Sequence, residues 1–101
     1  MEQSTLGFSK DLPPGRMKEF AVNGKELLVV NLANQFYCLD GRCTHARGHL
    51  AQGTLSGDVV TCPRHGSRFK VTDGSVVGGP ASKSLATYKI VAKDGQLLVE
   101  V

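Results

Sequence analysis

Residues 17–40 read MKEFAVNGKELLVVNLANQFYCLD. Three apolar stretches are separated by two dipeptides, Asn23-Gly24 and Ala33-Asn34. Asn-Gly between apolar runs is a strong signal for a two-residue hairpin, because a type I′ turn needs positive φ at both central residues. Ala33-Asn34 is a weaker turn signal. The stretch therefore predicts strands over Met17–Val22, Glu26–Leu32 and Gln35–Leu39. Its longest wholly apolar run, Leu27 to Val30, falls far short of the ~20 residues a membrane helix needs. The same grammar continues outward. Upstream, Thr5–Ser9 reads as a strand, cut off by Pro13-Pro14-Gly15. Downstream, strands are predicted over Asp58–Thr61, Arg68–Val71, Ala86–Val91 and Gln96–Val101. Asp73-Gly74 is a weak turn signal and Asp94-Gly95 a strong one. No window sustains helical periodicity beyond about two turns, below the length of an ordinary helix. Eight short strands predict an all-β domain, an antiparallel sandwich or small barrel. Two segments read as irregular: the glycine-rich stretch between Asp40 and Asp58, and Val77 to Ser84 with Gly78-Gly79-Pro80-Ala81. On a β scaffold such loops are where function is expected.

The chain has 101 residues, 41% of them hydrophobic. That length suits a single domain with a small core and excludes most multi-domain catalysts. The N-terminus lacks a basic start followed by an apolar stretch, so the expectation is no signal peptide and a cytoplasmic location. The formal charge of +3 raises the question of an acidic partner such as nucleic acid. The charge is local, however. Between residues 41 and 72 stand Arg42, Arg47, Arg64, Arg68 and Lys70 against Asp58 alone. The rest of the chain is close to neutral. A nucleic-acid-binding β domain would also need aromatic residues interleaved with that charge, and only 6% of residues are aromatic.

All three histidines and two of the three cysteines lie in the same segment. They form two tight pairs, Cys43-Thr44-His45 and Cys62-Pro63-Arg64-His65. In a cytosolic protein, which keeps thiols reduced, cysteines so placed read as metal ligands rather than disulfide partners. Zinc is the first alternative. Structural zinc favours C-x₂₋₄-C and H-x₃₋₅-H spacings, and a C-x-H pair is tight for one tetrahedral ion. A binuclear iron–sulfur cluster fits better, one iron taking both thiolates and the other both imidazoles. Cys38 has no such neighbour and reads as a buried structural thiol. His49 reads as an exposed loop residue, since four ligands complete the cluster.

The C-T-H and C-P-x-H-G-S motifs resemble those of the Rieske [2Fe-2S] proteins, most closely the soluble Rieske-type ferredoxins. The likeness covers nearly the whole chain. It includes Phe36-Tyr37-Cys38-Leu39-Asp40 before the first ligand loop, and Leu50, Gly53, Leu55 and Gly57-Asp58 before the second. Gly79-Pro80-Ala81 resembles the loop that shields the cluster. The resemblance implies one Rieske domain over residues 1–101, with a cluster-binding subdomain of about 41–82 inserted in the β scaffold. It implies Cys43, His45, Cys62 and His65 as ligands of one [2Fe-2S] cluster, and Ser67 as the hydroxyl that donates to a bridging sulfide. Departures accompany it. Gly48 and Arg64 stand where membrane-complex members carry a disulfide. Phe69 replaces the tyrosine of high-potential members, Ser82 the second proline of the shielding loop, and Lys70 an acid common there. Together they point to a low-to-intermediate potential, with Ser67 as the contrary feature.

The resemblance further implies a soluble one-electron carrier rather than an enzyme. It would be monomeric when free, have no membrane anchor, and pass electrons from a reductase to an oxygenase or other oxidoreductase. The alternative is a small iron–sulfur subunit of a nitrite-reductase-like complex; an arsenite-oxidase subunit would carry an export signal. With two neutral imidazoles the oxidised core is formally neutral, and reduction adds one negative charge. A cation about 10 Å away, at an effective dielectric of ~20 to 80, then contributes ~0.4 to 1.7 kcal/mol. For one electron that is ~20 to 70 mV per arginine. Whether the arginines form a solvated face or a docking face stays open at this level. Many oxygenase-linked members are acidic, whereas this chain is basic around its ligand pairs.

Overall fold

The computed structural model describes residues 3–44, 48–64 and 66–100. Ten strands run in chain order: β1 Gln3–Phe8, β2 Arg16–Val22, β3 Lys25–Leu32, β4 Gln35–Asp40, β5 Thr54–Ser56, β6 Val59–Thr61, β7 Arg68–Lys70, β8 Val76–Gly78, β9 Thr87–Lys93 and β10 Gln96–Glu100. Short 3-10 turns at Ser9–Asp11 and Leu50–Gln52 interrupt the connections. The strands form an antiparallel six-stranded sheet in the order β1-β10-β9-β4-β3-β2 and a four-stranded meander, β5-β6-β7-β8. The all-β expectation agrees with this. Two strands correct it, because β5 lies in, and β8 overlaps, a segment read from sequence as irregular. Each has three residues, too few to display alternation. Each exists as an edge, β5 paired only to β6 and β8 only to β7.

Three hairpins of the larger sheet follow from local chemistry. Asn23-Gly24 and Asp94-Gly95 take positive φ at both residues, the backbone a type I′ turn requires. Ala33-Asn34 does the same, with φ of 52° and 70°, although alanine disfavours that region. Asn31 supports this turn. Its Oδ1 accepts from the Asn34 N–H at 2.8 Å, and its Nδ2 donates to the Leu12 carbonyl at 2.7 Å. A buried amide so bonded keeps its polar atoms satisfied.

Leu27 to Val30 are all fully buried, because β3 is covered on both faces. Leu27 and Val29 join Cys38, Leu97 and Val99 in one core. Leu6 of β1 and Phe20 of β2 pack against that same core from opposite ends of the sheet, so the sheet curls round it. Leu28 and Val30 face the other way. They join Leu39, Val60, Phe69, Val71, Cys43 and Cys62 in a second core between the curled sheet and the small meander. The chain leaves the large sheet after β4 and returns at β9, which pairs with β4 through Cys38↔Tyr88 and Leu39↔Thr87. Everything between is carried by the second core.

Candidate metal centre

Two loops of the same construction present the cysteines. The Cys43 N–H donates to the Gly48 carbonyl at 3.0 Å, and the Cys62 N–H donates to the Ser67 carbonyl at 2.8 Å. Each loop is thus closed by a bond from its cysteine to the fifth residue on. Arg42 and His49 bridge in antiparallel fashion beneath the first loop, and the Leu50 N–H reaches the Gly41 carbonyl at 2.9 Å. The second loop joins β6 to β7. Cys43 and Cys62 are 1% and 2% exposed, and neither is in a disulfide. Gly48 lies between the loops. A Cβ there would sit 3.1 Å from the Cys62 Sγ and 3.0 Å from the Arg64 Cγ. Its φ is not in the left-handed region, so close approach, not turn formation, calls for glycine here.

A third loop, between β8 and β9, closes over the other two. Thr44 Oγ1 donates to the Lys83 carbonyl at 2.7 Å. The Ala81 N–H donates to Ser67 Oγ at 3.1 Å. Gly79 has φ +82°, and a Cβ there would lie 2.5 Å from the Ser67 Cα and 2.6 Å from the Gly66 carbonyl oxygen. Ser67 is 1% exposed. Its oxygen accepts from Ala81, and among the described residues its proton has no acceptor. Two reduced thiols on separate loops, plus a buried hydroxyl with a proton to give, form a donor set suited to an iron–sulfur group. Of the four ligands expected from sequence, Cys43 and Cys62 are brought into one core; His45 and His65 lie outside the described residues.

With that geometry in view, the match to known proteins is unambiguous: a Rieske [2Fe-2S] domain is matched over residues 2–89. The chain belongs to the Rieske [2Fe-2S] family. It is similar to ferredoxin CarAc of Metapseudomonas resinovorans, with 34% identity over 92 residues, 90% of this chain and 86% of that protein. Its fold matches the ferredoxin of carbazole 1,9a-dioxygenase from Nocardioides aromaticivorans with a TM-score of 0.93 and 27% identity, covering 98% of this chain and 97% of that one. It also matches a chain in a complex of reduced oxygenase and oxidised ferredoxin of carbazole 1,9a-dioxygenase, with a TM-score of 0.90 and 32% identity over 96% of this chain and 91% of that one.

The Rieske frame makes two departures intelligible. The positions that carry the disulfide in membrane-complex members, Gly48 and Arg64, do face each other across the two loops. Here the aliphatic stem of Arg64 packs against a bare glycine backbone in place of the bridge. Phe69 is fully buried in the same core as Cys43 and Cys62.

One sequence reading needs correction. His49 is not an exposed loop residue. Its side chain is about one-third exposed, and Nδ1 lies 2.6 Å from Glu19 Oε1 and 3.4 Å from Glu26 Oε2. Arg42, counted from sequence with the basic segment, is paired to an acid. It grips Glu26 with two nitrogens, Nε at 2.8 Å and a terminal nitrogen at 3.1 Å. That bond holds its guanidinium pKa above the ordinary value. The four side chains form a lattice binding both stems of the Cys43 loop to β2 and β3. Because Arg42 takes both oxygens of Glu26, the lattice is complete without a cation. Neither Glu19 nor Glu26 was singled out from sequence, yet a signal existed. The Asn23-Gly24 turn sets the pairs Glu19↔Leu28 and Ala21↔Glu26. Paired residues share a face, so both glutamates lie on the face of Leu28, which meets the two cysteine loops.

Cys38 behaves as expected. It is buried, and burial, reinforced by Asp40, pushes its thiol up to about 12. Its cross-strand neighbour Tyr88 donates to Asp40 Oδ1 at 2.7 Å. Burial and then that bond raise Tyr88 to about 12 as well.

Proposed function

We propose that this Rieske protein is a one-electron carrier, with Cys43, His45, Cys62 and His65 holding one [2Fe-2S] cluster. The observation that carries this reading is the pair of buried, reduced cysteines on two matched loops under a third. When bound, the cluster supplies a site that takes up and releases one electron. The residues of the chain do the rest. Cys43 and Cys62 would hold one iron, and their closed loops would keep the thiolates in place in both redox states. Ser67 offers a proton that favours the more negative, reduced state. Phe69, Leu50 and Val60 keep water from the inner side. Support comes from relatives that are ferredoxin components of naphthalene and biphenyl dioxygenase systems. The partners on this reading are a reductase that donates and an oxygenase or other oxidoreductase that accepts, docking near the cluster. Residues of about 41–82 serve as the cluster-binding subdomain of the one domain. No helix among the described residues is long and apolar enough to cross a membrane; the proposed location is the cytoplasm.

Electron paramagnetic resonance of the dithionite-reduced protein tests the assignment. An average g value below that of all-cysteine clusters is expected from mixed nitrogen and sulfur ligation. A spectrum typical of four thiolates would overturn the ligand set. Co-elution of the natively purified protein with a large reductase subunit would favour a fixed subunit over a free carrier.

A further inference from the structure

The fold sorts the charged residues of the small sheet into two ends. At one end are the ligand loops: the turn from β6 to β7, the start of β5 opposite Thr61, and Gly78 opposite Arg68. At the other end are the β5–β6 turn with Asp58 and the β7–β8 turn with Asp73, joined by the Val71 N–H to the Asp58 carbonyl at 2.8 Å. Lys70, counted from sequence with the basic segment, belongs to this far end, where its charge helps to lower the pKa of Asp73 after the bonds from Ser75. Among the described residues the loop end holds no acid. The sequence has none from 41 to 57, 59 to 72 or 74 to 93. The carboxylates at the base of the first loop are engaged, Glu19 by His49, Glu26 by Arg42 and Asp40 by Tyr88. Three exposed cations stand at this end: Arg64 beside Gly48, Arg68 with its guanidinium over Gly78, and Lys83 in the third loop. No acid among the described residues pairs with any of them. The second and third loops each expose a proline, Pro63 and Pro80, and β8 exposes Val77 at 46%.

We propose that this tip is a docking face for a redox protein whose own contact surface is acidic around an apolar centre. The inference rests on the carrier reading and names the chemistry of its partner. Three cations unpaired among the described residues, on the same loops as exposed apolar groups and with Asp58 and Asp73 at the far end, make a field that points outward from the loops. Such a field raises the encounter rate with an anionic surface and lowers it with a cationic one. Desolvating the prolines and Val77 then requires no buried charge on this side at the centre of the contact.

The test uses the full chain with its cluster, reduced and mixed in a stopped-flow instrument with two acceptors. One is an acidic blue-copper protein, the other basic cytochrome c. Raising ionic strength from about 0.01 M to about 0.15 M shortens the screening length from ~30 Å to ~8 Å. The expected result is a rate with the acidic acceptor that falls about tenfold, while the rate with cytochrome c rises. The double variant Arg64→Glu, Lys83→Glu should lose at least about fivefold with the acidic acceptor at low salt and reverse its salt dependence. Lys93→Glu, at the opposite end of β9, should change neither rate. Equal salt dependence for both acceptors, or an effect of Lys93→Glu as large as that of the double variant, would overturn the proposal. Visible absorbance separates the two readings. A chain that holds no reducible cluster refutes the carrier function, whereas an intact cluster with no charge discrimination refutes only the acidic partner.

Discussion

Replacing Gly79 by alanine should unseat the third loop from the ligand loops. Two costs act at once. The residue has φ +82°, and a left-handed backbone costs an L-residue about 1–2 kcal/mol. In addition, the new Cβ would lie 2.5 Å from the Ser67 Cα, 2.6 Å from the Gly66 carbonyl oxygen and 2.9 Å from the Ser67 nitrogen. All three are backbone atoms that cannot swing away, so the loop itself must lift. Forced displacement of that kind costs about 1–3 kcal/mol. Lifting also stretches the bond from Ala81 N–H to Ser67 Oγ, worth about 1 kcal/mol. Gly95→Ala is the control. Its φ is +77°, with nothing within 4 Å of the Cβ, so it carries the backbone cost alone. Any gain from stiffening the unfolded chain is common to both variants. The difference between them is therefore about 2–4 kcal/mol, or roughly 8 °C or more in Tm for a domain of this size. Thermal unfolding followed by circular dichroism measures the difference, and the decay of visible absorbance under a chelator reports the cluster. If Gly79→Ala loses no more than Gly95→Ala, and the cluster bleaches no faster, the third loop does not press on the second.

Ser67→Ala should lower the midpoint potential by about 30–60 mV, the equivalent of ~0.7–1.4 kcal/mol for one electron; an unchanged potential in film voltammetry would show that the hydroxyl does not act on the cluster. Arg64→Glu should lower it too. Because Arg64 is exposed, solvent screening keeps the two-unit charge change near ~40 mV. Glu19→Leu should remove the His49 bond of 2.6 Å and destabilise the first ligand loop by about 1 kcal/mol, read as a Tm loss of about 4–8 °C. The Cys38 thiol, raised to about 12 when folded, should resist alkylation at pH 8 until the chain is unfolded. Its sign is that of a raised group. Below about 9 the folded and unfolded thiols are both protonated, so stability there is full. Stability falls as pH rises from about 9 toward 12, because the unfolded thiol ionises first. Urea titrations across that range should show this loss shrinking in Cys38→Ala.

Local chemistry alone decided much of this molecule. Asn23-Gly24 and Asp94-Gly95 have few alternatives to a two-residue hairpin, and apolar runs beside them must become strands. The spacing of the two short Cys/His pairs predicts a metal centre, and of these residues the fold brings Cys43 and Cys62 into one core. Leu27 to Val30 carried an ambiguous message, since four consecutive apolar residues say only that both faces are covered. What covers them was decided by the return of β9 to β4, which closes one core inside the curled sheet and a second beneath the ligand loops. The two three-residue strands depend on the same closure, because their order comes from the neighbour they pair with and not from any periodicity of their own. The charges followed the same rule. Sequence counted Arg42 and Lys70 with the basic segment, as neighbours along the chain, and read His49 as an exposed loop residue. Tertiary structure gave Arg42 and His49 to Glu19 and Glu26, moved Lys70 to the far end beside Asp73, and brought Lys83 to the tip. Covalent order determines which groups exist and which turns they form. Coulomb energy depends on distance in space, and only the folded chain sets that distance.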